Sequence, residues 1–69
     1  MVKPGTYKHF KGGIYRVIGE AKNSESQQMM VIYVSVDYPD VLWVRPLSMW
    51  NENVDRDGYE GPRFTFFHD

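Results

Sequence analysis

In Leu42-Trp43-Val44-Arg45-Pro46-Leu47-Ser48-Met49-Trp50, two tryptophans and an arginine stand close together in a chain of 69 residues. The apolar spacing has period two rather than 3.6, so Val41 to Arg45 reads as a strand that ends at Pro46. Alternation puts Leu42 and Val44 on one face, with Trp43 and Arg45 on the other. Leu47 to Asn51 is too short for a stable helix and predicts a single 3₁₀ turn. The reading gives Leu42 and Val44 to the core, with Trp43 joining or capping them. Arg45 and Trp50, flanking Pro46, are left as a contact surface.

The same period runs outward from this stretch. Gly5 to Phe10 predicts a first strand, with Tyr7 and His9 on one face. Gly12-Gly13 then suits a tight hairpin, because glycine adopts positive φ without steric cost. Ile14 to Lys22 predicts the second strand, and Gly19 inside it marks a bulge or bend. Asn23-Ser24-Glu25-Ser26 is a polar turn. Gln27 to Val36, apolar on both faces at its centre, predicts a strand crossing the middle of the fold. Asp37-Tyr38-Pro39-Asp40 and Asp55-Arg56-Asp57-Gly58 read as turns. Pro62 to Phe67 predicts the last strand, with Pro62 at its start or on an edge.

Five short strands with turns every 6–12 residues or so imply an all-β domain whose sheet must curl to bury one face. At this length the expected architecture is a single domain over residues 1–69, a small, strongly bent five-stranded barrel of the SH3-like type. No cysteine is present, so no disulfide staples the fold. Five Tyr, four Phe and two Trp supply the large buried areas that a small core needs. The absence of cysteine, the lack of an apolar leader after Met1 and the lack of a long apolar run together predict a soluble cytoplasmic protein with no membrane association. The net charge is −1, unevenly spread. Lys3, Lys8, Lys11, Arg16 and Lys22 face only Glu20 in the first third, whereas carboxylates dominate the remainder. In one small domain, mutual neutralisation accounts for that asymmetry.

Three blocks, in order and spacing, carry a resemblance. They are Gly5-Thr6-Tyr7-Lys8-His9-Phe10-Lys11-Gly12-Gly13-Ile14-Tyr15-Arg16-Val17, then Val31-Ile32-Tyr33, then the Leu42–Trp50 run completed by Gly58 and Pro62-Arg63-Phe64. Together they resemble the small bacterial family called domain of unknown function 1653. The resemblance implies a compact SH3-like β-barrel and no established activity. Trp50, in place of a commoner phenylalanine, and Tyr38-Pro39-Asp40, in place of a glycine-containing turn, are mild departures.

No catalytic arrangement is legible. His9 could be joined only by His68 and Asp69, and zinc needs three or four converging ligands. No serine or Thr6 is paired with a base. Neither a metal nor a cofactor is expected. The candidate partner-binding residues are Tyr7, His9, Tyr15, Arg16, Tyr33, Trp43, Arg45, Trp50 and Arg63, because aromatic and arginine side chains are enriched at interface hot spots. They point to a non-enzymatic interaction module that binds a protein or peptide segment. The alternative is single-stranded nucleic acid on the basic first hairpin, where Lys8, Lys11, Arg16 and Lys22 alternate with Tyr7, Phe10 and Tyr15. A sequence pI near 6.0 weighs against it. A barrel of this size fills its interior with side chains, which disfavours an enzyme or ligand carrier. The expected state is a monomer or a weak homodimer paired through the Phe64–Phe67 edge.

Overall fold

The computed structural model describes residues 2–69. The described residues form seven strands and one helical turn. In order they are β1 (Gly5–His9), β2 (Ile14–Lys22), β3 (Met29–Ser35), β4 (Tyr38–Pro46), α1 (Leu47–Trp50), β5 (Asn53–Arg56), β6 (Tyr59–Pro62) and β7 (Phe64–His68). Five strands make one antiparallel sheet in the order β4-β3-β2-β1-β7, and β5 and β6 make a separate hairpin.

The all-β class stands, but the sheets do not close into the expected small, strongly bent SH3-like barrel. There are seven strands, and the two sheets are not joined into a closed barrel. The extra pair comes from residues 53–62, whose Asp-Gly turn was legible while its flanking strands were not. Asp57 and Gly58 both have positive φ, at 54° and 79°, as a two-residue hairpin turn with the right twist requires. Val54 alone in β5 is buried, so no alternating apolar pattern announces the strand.

The first three strands follow the sequence reading closely. Gly12 takes φ +107° in the loop between β1 and β2. The β2–β3 register shifts between Val17 and Gly19. That inserts Ile18 as an extra residue at the bulge expected from Gly19. Asn23 Oδ1 accepts hydrogen bonds from the amides of Glu25 (2.9 Å) and Ser26 (3.2 Å), closing the polar turn. Gly5 lies where β1 crosses β7, with φ +144°. A Cβ there would stand 2.9 Å from the Phe66 ring and 3.0 Å from the His68 carbonyl oxygen.

β4 departs most from expectation. It begins at Tyr38 rather than Val41, because the turn is Val36-Asp37. Pro39 lies inside the strand, tolerated because β4 is an edge. Between the pairs Ser35↔Tyr38 and Tyr33↔Trp43, Val34 alone on β3 faces Pro39-Asp40-Val41-Leu42 on β4. The surplus bows β4 outward. Residues 47–50 form an α-turn rather than the expected 3₁₀ turn, with the Asn51 amide donating to the Leu47 carbonyl at 3.1 Å.

The core is assembled on one face of the sheet, from Val2, Tyr7, Val17, Val31, Tyr33, Trp50 and Phe64, with Tyr15 and Leu47 packed against it. Val31 is fully buried. Two expectations are reversed by this packing. Trp50 is the plug, 3% exposed, whereas Trp43 is 52% exposed. Leu42 and Val44, expected in the core, are exposed at 66% and 57%. Leu42 and Val44 do share a face opposite Trp43, but the core lies on the Trp43 side, and α1 swings Trp50 rather than Trp43 into its centre. At the other end, the Val2 amide donates to Glu20 Oε2, and the Tyr7 hydroxyl donates to the Lys3 carbonyl oxygen at 2.6 Å.

Trp50→Ala is expected to lower the unfolding free energy by about 3–5 kcal/mol, the usual range for a buried tryptophan. Trp43→Ala should change it by about 1 kcal/mol or less, as for a surface position. Urea denaturation of both variants checks the order, and equal losses would contradict this assignment of core and surface.

Candidate functional site

The inner face of the sheet is only partly covered. Trp50 stacks on Phe64 at 3.8 Å between ring centroids with the planes 1° apart, and meets Tyr7 and Tyr33 at 5.5 and 5.1 Å. Beyond that plug, towards the β3–β4 turn, the face stays open as a groove of about 560 Å³. Tyr15, Tyr33, Tyr38 and Trp43 line it, with Ile14, Val41 and the turn residue Asp37. Local sequence explains each position. Tyr15 and Tyr33 alternate inward on β2 and β3 and meet edge-on at 5.6 Å. The β4 bulge sets Tyr38 and Val41 apart from Trp43, so the edge strand forms a wall and does not close onto β3. Gly13 contributes by lacking a side chain, since a Cβ there would fall 2.8 Å from the Tyr15 ring.

Beside the groove lies a cationic cluster. Tyr15 also meets His9 at 6.3 Å and Phe64 at 5.8 Å, so its ring is shared between the two regions. Arg45, two residues along β4 from Trp43 and on the same face, places its guanidinium carbon 5.6 Å from the Phe64 centroid. Arg63 holds Glu52 through Nη2 to Oε1 at 2.8 Å, with its own side chain largely buried. Its backbone amide donates to the Glu52 carbonyl, and its carbonyl accepts from the Phe10 amide, both at 3.0 Å. The Nε atoms of Arg45 and Arg63 are buried without a hydrogen-bond partner, a state that costs on the order of 1–3 kcal/mol per group. Among the described residues, Glu52 is the carboxylate that answers Arg63, and Arg45 has none.

His9 reports the resulting field. Burial lowers its pKa below the ordinary imidazole value, and the positive charges of Arg63, Arg45, Lys11 and Arg56 lower it further. The Lys11 amide donates to His9 Nδ1 at 3.1 Å, which places the proton of the neutral ring on Nε2. Phe10 stacks on Tyr59 at 5.4 Å and lies within 6 Å of both the Arg56 and Lys11 cations.

The candidate residues therefore divide. Tyr15, Tyr33 and Trp43 line the groove; His9, Arg45 and Arg63 form the adjoining cluster. Tyr7 and Trp50 are core residues, which corrects the placement of Trp50 on a contact surface. Arg16 pairs with Thr6 and Val34 on the opposite face from Tyr15 and stays exposed there. Tyr38, Asp37, Val41 and Ile14 were missed. Tyr38 and Asp37 were read as one turn with Pro39, and only knowing that β4 is an edge strand would have restored Tyr38 to it. In the basic first hairpin Lys8 and Arg16 share the face turned away from Tyr7 and Tyr15, while Lys11 sits over Phe10. Among the described residues no three His, Cys, Asp or Glu side chains converge as metal ligands, and no helix is long and apolar enough to cross a membrane.

A family model described as "Protein of unknown function (DUF1653)" matches residues 5–66. The chain belongs to the DUF1653 family. A DUF1653 crystal structure, from Bordetella bronchiseptica, is similar at 32% identity and a TM-score of 0.86, over 97% of this chain and 88% of that one. A search of curated proteins found no match. The DUF1653 span contains the whole groove and the cationic cluster beside it. The three sequence blocks that carried the resemblance supply Tyr15, Tyr33 and Trp43 of the groove and His9, Arg45 and Arg63 of the cluster.

For this DUF1653 domain a pH dependence follows. With the folded pKa of His9 depressed, the unfolded chain binds its proton more readily. The stability gained from a neutral His9 is complete above about pH 6.5, the unfolded value, and is lost as pH falls from there towards the folded pKa. Urea midpoints measured between pH 7.5 and 5 should fall in the parent protein and fall less in His9→Gln. Parallel profiles for the two would show that His9 is not the titrating group.

Proposed function

We propose that this domain is a non-enzymatic interaction module that binds an extended protein segment in the groove between Tyr15, Tyr33, Tyr38 and Trp43. The observation behind this reading is the exposure of Trp43 and Tyr38 next to a preformed aromatic floor. Large aromatic side chains are normally buried in so small a protein, and half-exposed ones lining a concave surface are the usual anchors of a binding site. Rigid rings lose little conformational freedom on contact, so a modest groove can still hold a peptide. The mode is SH3-like in its use of an aromatic groove for extended peptides, with a bent, open sheet taking the place of a closed barrel. The module acts as a monomer or as a weak homodimer paired through the β7 edge, which lies outside the binding surface.

The expected result is specific to one of the two tryptophans. In a titration with a binding peptide followed by ¹H–¹⁵N spectra, the indole N–H of Trp43 and the amides of Tyr15 and Tyr38 should move. The buried indole of Trp50 should stay in place. Tyr38→Ala combined with Trp43→Ala should weaken binding at least tenfold with little change in stability. Shifts centred on Arg16 and Lys8 instead would favour the opposite face and the nucleic-acid alternative.

A further inference from the structure

The groove and the cluster beside it carry opposite charge at their two ends. Asp37 stands at the β3–β4 turn at one end. Trp43 follows along β4, and Arg45, paired with Val31, lies beyond it. Arg45 is no ordinary surface arginine. It is half-buried against Phe64, its Nε is closed off from solvent, and no described carboxylate or carbonyl accepts a hydrogen bond from its guanidinium. Arg63 next to it is already engaged by Glu52. Lys11 from the β1–β2 loop and Arg56 from the end of β5 add positive charge around His9. A guanidinium lying against the Phe64 ring among like charges, with no acceptor among the described residues, is a donor open to one, and a carboxylate is the group whose geometry matches its planar fork.

We propose that Arg45 is the receptor for a carboxylate on the bound segment, so that the partner is an extended peptide carrying an aspartate or glutamate beside the apolar residues that fill the groove. The inference rests on the groove reading and names the chemistry of its occupant. From Val31, opposite Arg45, to Ser35, opposite Tyr38, β3 advances four residues, roughly 13 Å at the usual rise of a strand. A segment lying antiparallel or parallel to β4 therefore meets Arg45 with one residue and reaches the Tyr38 end of the groove, next to Asp37, about four positions away, where a lysine or arginine fits. This alternation of charge separates a peptide from a nucleic acid. A single strand of RNA carries a phosphate at every nucleotide, so it would set negative charge against Asp37 as well as against Arg45.

Selection of a random dodecapeptide phage library on the full chain supplies the probe, and Trp43→Ala/Tyr38→Ala serves as the subtractive control. The expected winners share an acidic residue next to aromatic, leucine or proline residues. As synthetic peptides they should lose at least tenfold in affinity when the acid is changed to its amide, and they should shift the Arg45 Nε–H resonance. Arg45→Gln should remove the same factor, and Arg45→Lys should restore only part of it. Winners that bind at Trp43 but tolerate the amide would overturn the carboxylate assignment and leave the groove reading standing. Failure of any peptide to enrich over the control would overturn both. Tighter binding of an oligouridine 12-mer than of the best peptide, at the same resonances, would replace the peptide with nucleic acid. The acid-to-amide comparison needs no protein variant, so the test holds even if Arg45→Gln impairs folding.

Discussion

The stack of Trp50 on Phe64 is the contact on which the rest of the structure depends. It joins two parts of the chain that the sheet hydrogen bonds leave apart. Trp50 ends the helical turn that leaves edge strand β4, and Phe64 begins edge strand β7 at the opposite side of the sheet. Bringing these rings face to face bends five strands around one plug in a chain without cysteine. Tyr7 and Tyr33 meet the plug from β1 and β3, so every inner strand except β2 touches it directly, and β2 joins through Tyr15 on Phe64. Burial of such large apolar areas is the strongest stabilising contribution open to a chain of this length.

That arrangement also decides which aromatics stay outside. Once Trp50 occupies the centre of the inner face, Trp43 has no room to enter, and its ring is left beside Tyr33 at the open end. The groove is thus a consequence of how the core is plugged, with the β4 surplus setting its width. Phe64 serves both regions, with Trp50 stacked on it, His9 and Tyr15 edge-on to it, and the Arg45 guanidinium close by. A single ring therefore couples the core to the cationic cluster, and the orientation of Arg45 is inherited from the packing of the core.

The sequence carried the sheet more clearly than the site. β-Branched runs, the Gly12 loop, the Gly19 bulge and the Asn23 turn are local signals, each set by the chemistry of one or a few residues, and they placed the first strands and the family resemblance correctly. The errors involve tertiary choices. Alternation separated Leu42 and Val44 from Trp43, but it could not say which of the two faces would be covered. Trp50, beside a proline-ended strand, looked peripheral because the α-turn that carries it inward has no periodicity of its own. β5 and β6 went unseen because Val54 and Tyr59 supply too little apolar pattern to mark strands made otherwise of Asn53, charged residues, glycine and proline. The groove residues Tyr38 and Val41 were hidden by Pro39, whose presence suggests a turn unless the strand is known to be an edge.

The edge position of β4 bears on how a partner would be held. A free strand edge ordinarily invites another strand to add to it. In β4, Pro39 and Pro46 offer no N–H, and the bulge from Pro39 to Leu42 breaks the regular spacing of donors and acceptors. A continuous ladder with a second strand is therefore blocked at both ends and through the first half of β4. Recognition on this side must come from side chains. In the proposed binding mode, that means the aromatic floor of Tyr15 and Tyr33, the walls of Tyr38 and Trp43, and the charges at the two ends. Such a design separates affinity from strand pairing, so the same prolines that blunt the edge against aggregation leave the groove beside it free to select by side-chain chemistry.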